Sequence, residues 1–170
     1  SEFCSYNPKR LKGIAMLNVD DVEWAVQELE RCKRMGFIGA TIPSYVDPGN
    51  PYQSPHYDPL WEAAESLGMP LSLHLSTNRT GMFNDQFVDL SNSLGIDMVV
   101  NMDYWVRLSL TQFVMGGVFE KYPGLYVGSI EHEIAWAPYF LERMDYTYTQ
   151  RPKLDHWIRF KDDSLPSDYF

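Results

Sequence analysis

The chain alternates between short continuous apolar runs and longer stretches whose apolar residues recur every three or four positions. The first run, residues 13–19, holds Ile14, Ala15, Met16, Leu17 and Val19 and predicts a strand covered on both faces. Asp20 then offers a helix N-cap, with Glu23 placed as its capping-box partner. Val22, Ala25, Val26, Leu29 and Cys32 form one apolar stripe, and Gly36 suits a left-handed helix end. A second strand is predicted over 37–42, stopped by Pro43, with turn residues following at Asp47, Pro48, Gly49, Asn50 and Pro51. Asp58 and Pro59 read as a helix start, Leu60, Ala63, Ala64 and Leu67 as its stripe, and Gly68 as its end. Pro70 opens a third strand over 71–75, which carries His74.

Residues 78–107 are less regular. Phe87, Leu90 and Leu94 are spaced for a short helix, and the apolar run 98–102 fits either state. A helix is predicted over 108–122 despite Gly116 and Gly117, ended by Pro123 and Gly124. The fourth strand, 125–130, runs directly into Glu131, His132 and Glu133. Pro138 opens a last helix through Phe140, Leu141, Met144 and Tyr148, and an aromatic, polar tail occupies 151–170. Repeated strand and helix imply an α/β fold of parallel strands joined by right-handed crossovers. Four such strands fit a flavodoxin-like sheet or half of a TIM (β/α)8 barrel. A whole barrel takes about 250 residues, so a chain of 170 is too short to be one.

Composition narrows the function. A net charge of −9, from 14 basic and 23 acidic residues, leaves only Lys9, Arg10 and Lys12 as a basic patch, so nucleic acid is not an expected partner. No run of about eighteen apolar residues suggests a membrane span, and no basic-then-apolar start suggests a secretory leader. Cys4 and Cys32 match no metal or redox spacing, which points to a reducing, cytoplasmic setting. Aromatic residues reach 15%, which implies large buried or interface side chains. The tail rings, including Tyr146, Tyr148, Trp157, Phe160, Tyr169 and Phe170, are expected to pack on another subunit or a further barrel segment, with a local mini-core as the alternative. Phosphate loops, a nucleophile elbow and a zinc-protease motif are all missing.

Four histidines occur, and two of them, His74 and His132, stand at equivalent strand ends. That rim is where parallel α/β folds gather catalytic groups, and imidazole suits metal ligation or proton transfer. Glu131 and Glu133 flank His132; strand alternation would turn both to the opposite face, and Glu131 is a candidate for orienting an imidazole. His56, in a polar loop, and His156, beside Trp157 in the tail, are expected to be exposed and inert. Asp103, with Tyr104 and Trp105, is placed to line a pocket only by composition.

Several segments together resemble a known family. They are the run Asp58 to Glu65, Leu67 to Pro70 with the His74 strand, Gly116 to Pro123, Trp136 to Asp145, and the closing residues from Leu165 to Phe170. In this order they look like the amidohydrolase-related family that includes aminocarboxymuconate-semialdehyde decarboxylase, over roughly 8–150. The resemblance implies strands three to six of a metal-dependent barrel, with residues 1–7 as a lead-in. It implies a divalent metal, usually zinc with manganese as the alternative, ligated by His74, and a proton-transfer role for His132. The family's paired ligands on the first strand and its late-strand Asp have no match here, and Glu133 to Trp136 replace a glycine-rich stretch. The expected activity of the intact enzyme is hydrolysis or non-oxidative decarboxylation of a small carboxylated or cyclic substrate. This chain would hold part of the active site and be inactive alone, paired with the remainder of the barrel or with further copies of itself. The competing expectation is a non-catalytic half-barrel interaction module.

Overall fold

The computed structural model describes residues 2–77, 99–151 and 160–170. The readings made for Phe87, Leu90, Leu94, His156 and Trp157 lie outside the described residues. Strands β1 (Ile14–Met16), β2 (Gly39–Ile42), β3 (Leu71–His74) and β4 (Val127–Ile130) form one sheet in the order β1-β2-β3-β4, every pair parallel. The helices are α1 (Glu2–Ser5), α2 (Val22–Arg34), α3 (Asp58–Leu67), α4 (Tyr104–Met115), α5 (Val118–Lys121) and α6 (Ala137–Gln150). Strand order that advances steadily, without reversing at a switch point, is the progression of a barrel and not of a doubly wound sheet.

Helices cover one face of the sheet. Ala15, Ala40, Ile42, Leu71 and Leu73 pack there against Leu29 of α2, Leu60 and Trp61 of α3, and Val106 and Phe113 of α4. The opposite face is open: Ile14 and Met16 are 50% and 75% exposed, and Thr41, Ser72 and His74 are half-buried. The first strand is therefore not covered on both faces, although its residues are apolar enough to be. Its inward side chains have no opposing layer among the described residues. Register places Met16 beside Thr41, Thr41 beside Ser72, and His74 beside Ile130.

Local structure departs from the pattern at three starts and one end. Asp21, not Asp20, caps α2, its carboxylate accepting from the Trp24 N–H at 2.9 Å. The chain stays extended one residue longer so that Val19 and Val22 can both enter the core. Asp58 lies inside α3, and its carboxylate pairs with Lys121 of α5 at 2.5 Å. The preceding single turn is capped by Ser54 instead. The predicted 108–122 helix begins earlier, at Tyr104, and splits into α4 and α5, since Gly117 adopts φ +78°. Gly36 and Gly68 do take left-handed angles, φ +85° and +56°, at the ends of α2 and α3.

The tail folds back on its own chain. Asp145 of α6 accepts from the Ser167 N–H at 2.9 Å and the Ser167 hydroxyl at 2.7 Å, and the Tyr169 hydroxyl donates to Glu120. Tyr148, Phe160 and Tyr169 pack in series as tilted rings, with centroids 5.1 Å and 4.8 Å apart. The expectation of an external partner is thus corrected for these three rings: α6 offers them an apolar side and a carboxylate anchor. Tyr146 and Phe170 remain about half-exposed, at 52% and 51%.

Candidate active site

His74 ends β3 on the open face. Its Nδ1 lies 2.8 Å from the Leu75 carbonyl oxygen. A ring nitrogen that close to a carbonyl donates to it, which turns Nε2 outward; a backbone carbonyl behind a ligating imidazole is the usual support in metal sites. Thr77 fixes the strand end from behind. Its hydroxyl donates to the His74 carbonyl at 2.6 Å and accepts from the Ser44 N–H at 2.8 Å, while the Ser44 carbonyl accepts from the Ser109 hydroxyl at 2.7 Å. The ends of β2, β3 and α4 are thereby joined around His74. Neither Thr77 nor Ser109 stood out in the sequence, because bonds to Ser44, distant from both along the chain, leave no spacing pattern.

The loop after β2 is anchored by Tyr52, which is fully buried. Its hydroxyl donates to the Pro43 carbonyl at 2.6 Å, its N–H donates to Gln112 at 3.0 Å, and its carbonyl accepts from the Trp61 indole at 3.2 Å. Tyr57, Trp61 and Phe113 surround it, with ring centroids 5.0–5.6 Å away. Part of the aromatic richness of the sequence goes to holding the rim loop against α3 and α4.

β4 ends at Ile130, and the next three residues leave strand geometry. Glu131 has φ +64° and Glu133 φ +57°, so alternation no longer sets which way they point. The Glu131 carboxylate lies 3.4 Å from His74 Nε2, and both side chains are open to solvent. His132 goes the other way. It is 2% exposed, and its Nδ1 is 3.1 Å from the hydroxyl of Ser129, which pairs in register with the core residue Leu73. Burial, with a smaller push from the charge of His74, lowers its pKa below the ordinary histidine value, and Asp103 and Glu131 oppose that shift. The His132 and Glu133 carbonyls both accept from the Trp136 indole, at 2.7 Å and 3.2 Å. The structure therefore brings His74 and Glu131 together on the rim and buries His132 beneath it.

The other candidates lie off the His74–Glu131 pair, with Asp103 close enough to His132 to oppose its pKa shift. His56 packs edge-on against Tyr57 and lines a small cavity of about 130 Å³ with Asp20 and Asp47. Asp103 is bound to Arg107 at 2.6 Å on α4. A larger cavity of about 640 Å³ runs along β4, lined by Phe119, Val127, Trp136, Tyr169 and Phe170, and does not include His74 or Glu131. Among the described residues, no group of three or more His, Cys, Asp or Glu is placed to hold a metal ion.

Comparison with known proteins fixes the family. The amidohydrolase family model matches residues 1–150. The chain belongs to the amidohydrolase family. Among its curated relatives, a gamma-resorcylate decarboxylase of Polaromonas sp. is 27% identical over 152 residues, covering 86% of this chain and 45% of the relative. A 2-amino-3-carboxymuconate-6-semialdehyde decarboxylase of Dictyostelium discoideum is 28% identical over 155 residues, covering 91% of this chain and 41% of the relative. The crystal structure of 5-carboxyvanillate decarboxylase from Sphingomonas paucimobilis matches 99% of this chain and 48% of that one, with a TM-score of 0.80 at 23% identity. That of 5-carboxyvanillate decarboxylase from Novosphingobium aromaticivorans, solved with manganese, matches 95% of this chain and 46% of that one, with a TM-score of 0.76 at 25% identity. This amidohydrolase-family chain thus spans about half the length of the relatives it matches, and its four parallel strands correspond to about half of a TIM barrel. No described helix is long and apolar enough to cross a membrane.

Proposed function

We propose that the whole protein is a metal-dependent carboxy-lyase, releasing carbon dioxide from a small carboxylated aromatic without an oxidant. The observation that carries this reading is His74: a strand-end imidazole on the open face, with Nδ1 tied to the Leu75 carbonyl and Nε2 turned to the rim beside the Glu131 carboxylate. The decarboxylases it resembles favour carbon dioxide release over hydrolysis, and the manganese-containing neighbours support a divalent ion, manganese or zinc. His74 fits such an ion because the Leu75 carbonyl orients its ring and turns Nε2 to the rim. When bound, a divalent metal polarises a substrate carboxylate or acidifies a water.

The chain's own residues supply the frame. Thr77 and Ser44 hold the His74 backbone, Thr41 and Ser72 form a polar floor beside it (hydroxyls 3.0 Å apart), and Tyr52 pins the rim loop. His132 is not assigned the proton transfer that its sequence position suggested. Its part in this reading is to brace the β4 turn from within, neutral and bonded to Ser129.

The test uses the whole natural protein. Metal content and carbon dioxide release from carboxylated phenols are measured for wild type and His74→Ala. The variant should lose bound metal by at least about 10–100-fold, since even groups behind a ligand cause losses of that size, and turnover should fall with it. Unchanged metal stoichiometry in His74→Ala would sink the assignment.

A further inference from the structure

We propose that two copies of this chain close one eight-stranded barrel, the β4 edge of each pairing in parallel with the β1 edge of the other. The strand order advances from β1 to β4 without reversing, so a second copy, related by a twofold axis along the strands, continues the series at both ends. Two four-stranded sheets then supply the number of strands whose closed interior side chains just fill. The edges match in detail. In a parallel strand one residue turns its N–H and C=O to one neighbour, and the next residue turns them to the other. The Gly13 carbonyl accepts from Ile38 and the Leu17 N–H donates to Thr41, so these alternate positions serve β2, and Ile14 and Met16 turn to the free edge of β1. The Tyr126 and Ile130 carbonyls accept from Leu71 and Leu75, which leaves Val127 and Ser129 to the free edge of β4. Each edge thus presents backbone donors and acceptors in the same parallel rhythm.

Charge selects this seam. Lys9, Arg10 and Lys12 lead into β1, all exposed and none with an ion-pair partner among the described residues. Near the entry end of β4 the tail carries Asp162, Asp163 and Asp168, exposed and likewise without a cation partner among the described residues. Lys161 ties this stretch to α5, just ahead of β4, through its N–H and its ammonium on Glu120 at 3.3 Å and 3.4 Å, and Asp168 lines the cavity along β4. Parallel pairing sets the two entry ends side by side, so basic lead-in meets acidic tail at both seams. On a chain of net charge −9, which repels its own copy elsewhere, that contact favours this arrangement over β1–β1 or β4–β4 pairing. Beside it the β4 cavity leaves Tyr126, Ile134 and Phe170 exposed for a strand to cover. The second copy also supplies the opposing layer that Ile14, Met16 and His74 lack, and the open face is incomplete without it, since no ligating group of three is placed together among the described residues. The closure stands whether or not His74 binds a metal.

The experiment is sedimentation equilibrium of the purified 170-residue chain. It should show a closed dimer, twice 19.7 kDa, that grows no larger as concentration rises. K9E/R10E/K12E and D162K/D163K should each weaken the dimer at least about tenfold, since like charges then meet at both seams. An equimolar mixture of the two variants should restore it as a mixed dimer, because each seam again joins opposite charges. All five positions are exposed, so circular dichroism should show the fold of each variant unchanged. M16P removes an N–H at the free edge and none from the β1–β2 ladder, and should be monomeric. A wild-type monomer at every concentration would overturn the proposal and leave both edges to further strands of the same polypeptide. Oligomers that lengthen with concentration would mean open stacking, and a dimer indifferent to both charge variants would put the contact elsewhere. Either result also overturns the closed barrel.

Discussion

Glu131 concentrates the conflict between stability and chemistry at this rim. Its left-handed backbone would suit glycine better, yet a carboxylate stands there. Glu131→Gly relieves that strain while loosening the unfolded chain, so the variant should be no less stable than wild type and up to about 1 kcal/mol more so. Denaturant melts would check this, and a loss of more than about 1 kcal/mol would mark the side chain as a structural contact. His132 makes the opposite case, a buried imidazole kept neutral by its surroundings. Its folded pKa lies below the unfolded value of about 6.5, so below that value the unfolded chain takes up a proton that the native chain resists. Stability from this residue is therefore whole above about pH 6.5 and falls as pH drops toward the folded pKa. Melts of wild type and His132→Gln between about pH 7.5 and about pH 5.5 should show the steeper loss in wild type. Parallel losses would show that His132 titrates normally.

At the level of elements, the joint between α4 and α5 matters most to the rim. Gly116 sits where an added Cβ would fall 2.2 Å from the Gln53 Cβ and 2.3 Å from the Gln112 carbonyl. The loop carrying Tyr52 and Gln53 thus approaches α4 as closely as a bare backbone permits, and Gln112 completes the contact by accepting from the Tyr52 N–H. Gly116→Ala should cost about 1–3 kcal/mol through overpacking and lower the melting temperature, whereas a neutral effect would mean the loop can lift away. α4 also contributes Ser109 to the network behind His74, so loosening this joint should reach the site. The pattern predicted a helix through Gly116 and Gly117 because the apolar spacing continues across them. Only the approach of a segment some sixty positions earlier explains why glycine is there.

For the molecule as a whole, one sheet face and two strand edges decide the behaviour. β1 and β4 pair on one side only among the described residues, and Ile14, Met16 and Ile130 are exposed on the open face. Unpaired parallel edges next to apolar side chains favour association. The isolated 170-residue chain should therefore self-associate in sedimentation velocity, and a clean monomer at micromolar concentration would contradict this. It should also lack turnover, because a catalytic zinc-type site takes about three protein ligands and no such group is placed together among the described residues. Metal-dependent carbon dioxide release by this chain alone, abolished by His74→Ala, would show that the remaining barrel is dispensable.

The sequence by itself determined the parallel strand–helix repeat, the family, and His74 at a strand end. Each follows from local physics: apolar periodicity, glycine at left-handed helix ends, and short motifs kept in order. Tertiary structure decided the rest. Which face of β1 is bare, and where the tail rings go, depend on what else is present to cover them, and no local pattern encodes that. The placements of Glu131 and His132 turned on the left-handed backbone at Glu131 and Glu133, which breaks the alternation from which their directions had been inferred. Left-handed glutamates have no sequence signature of their own. They persist only where the surrounding fold holds them, so the carboxylate meets His74, and the imidazole enters the core, by virtue of packing alone.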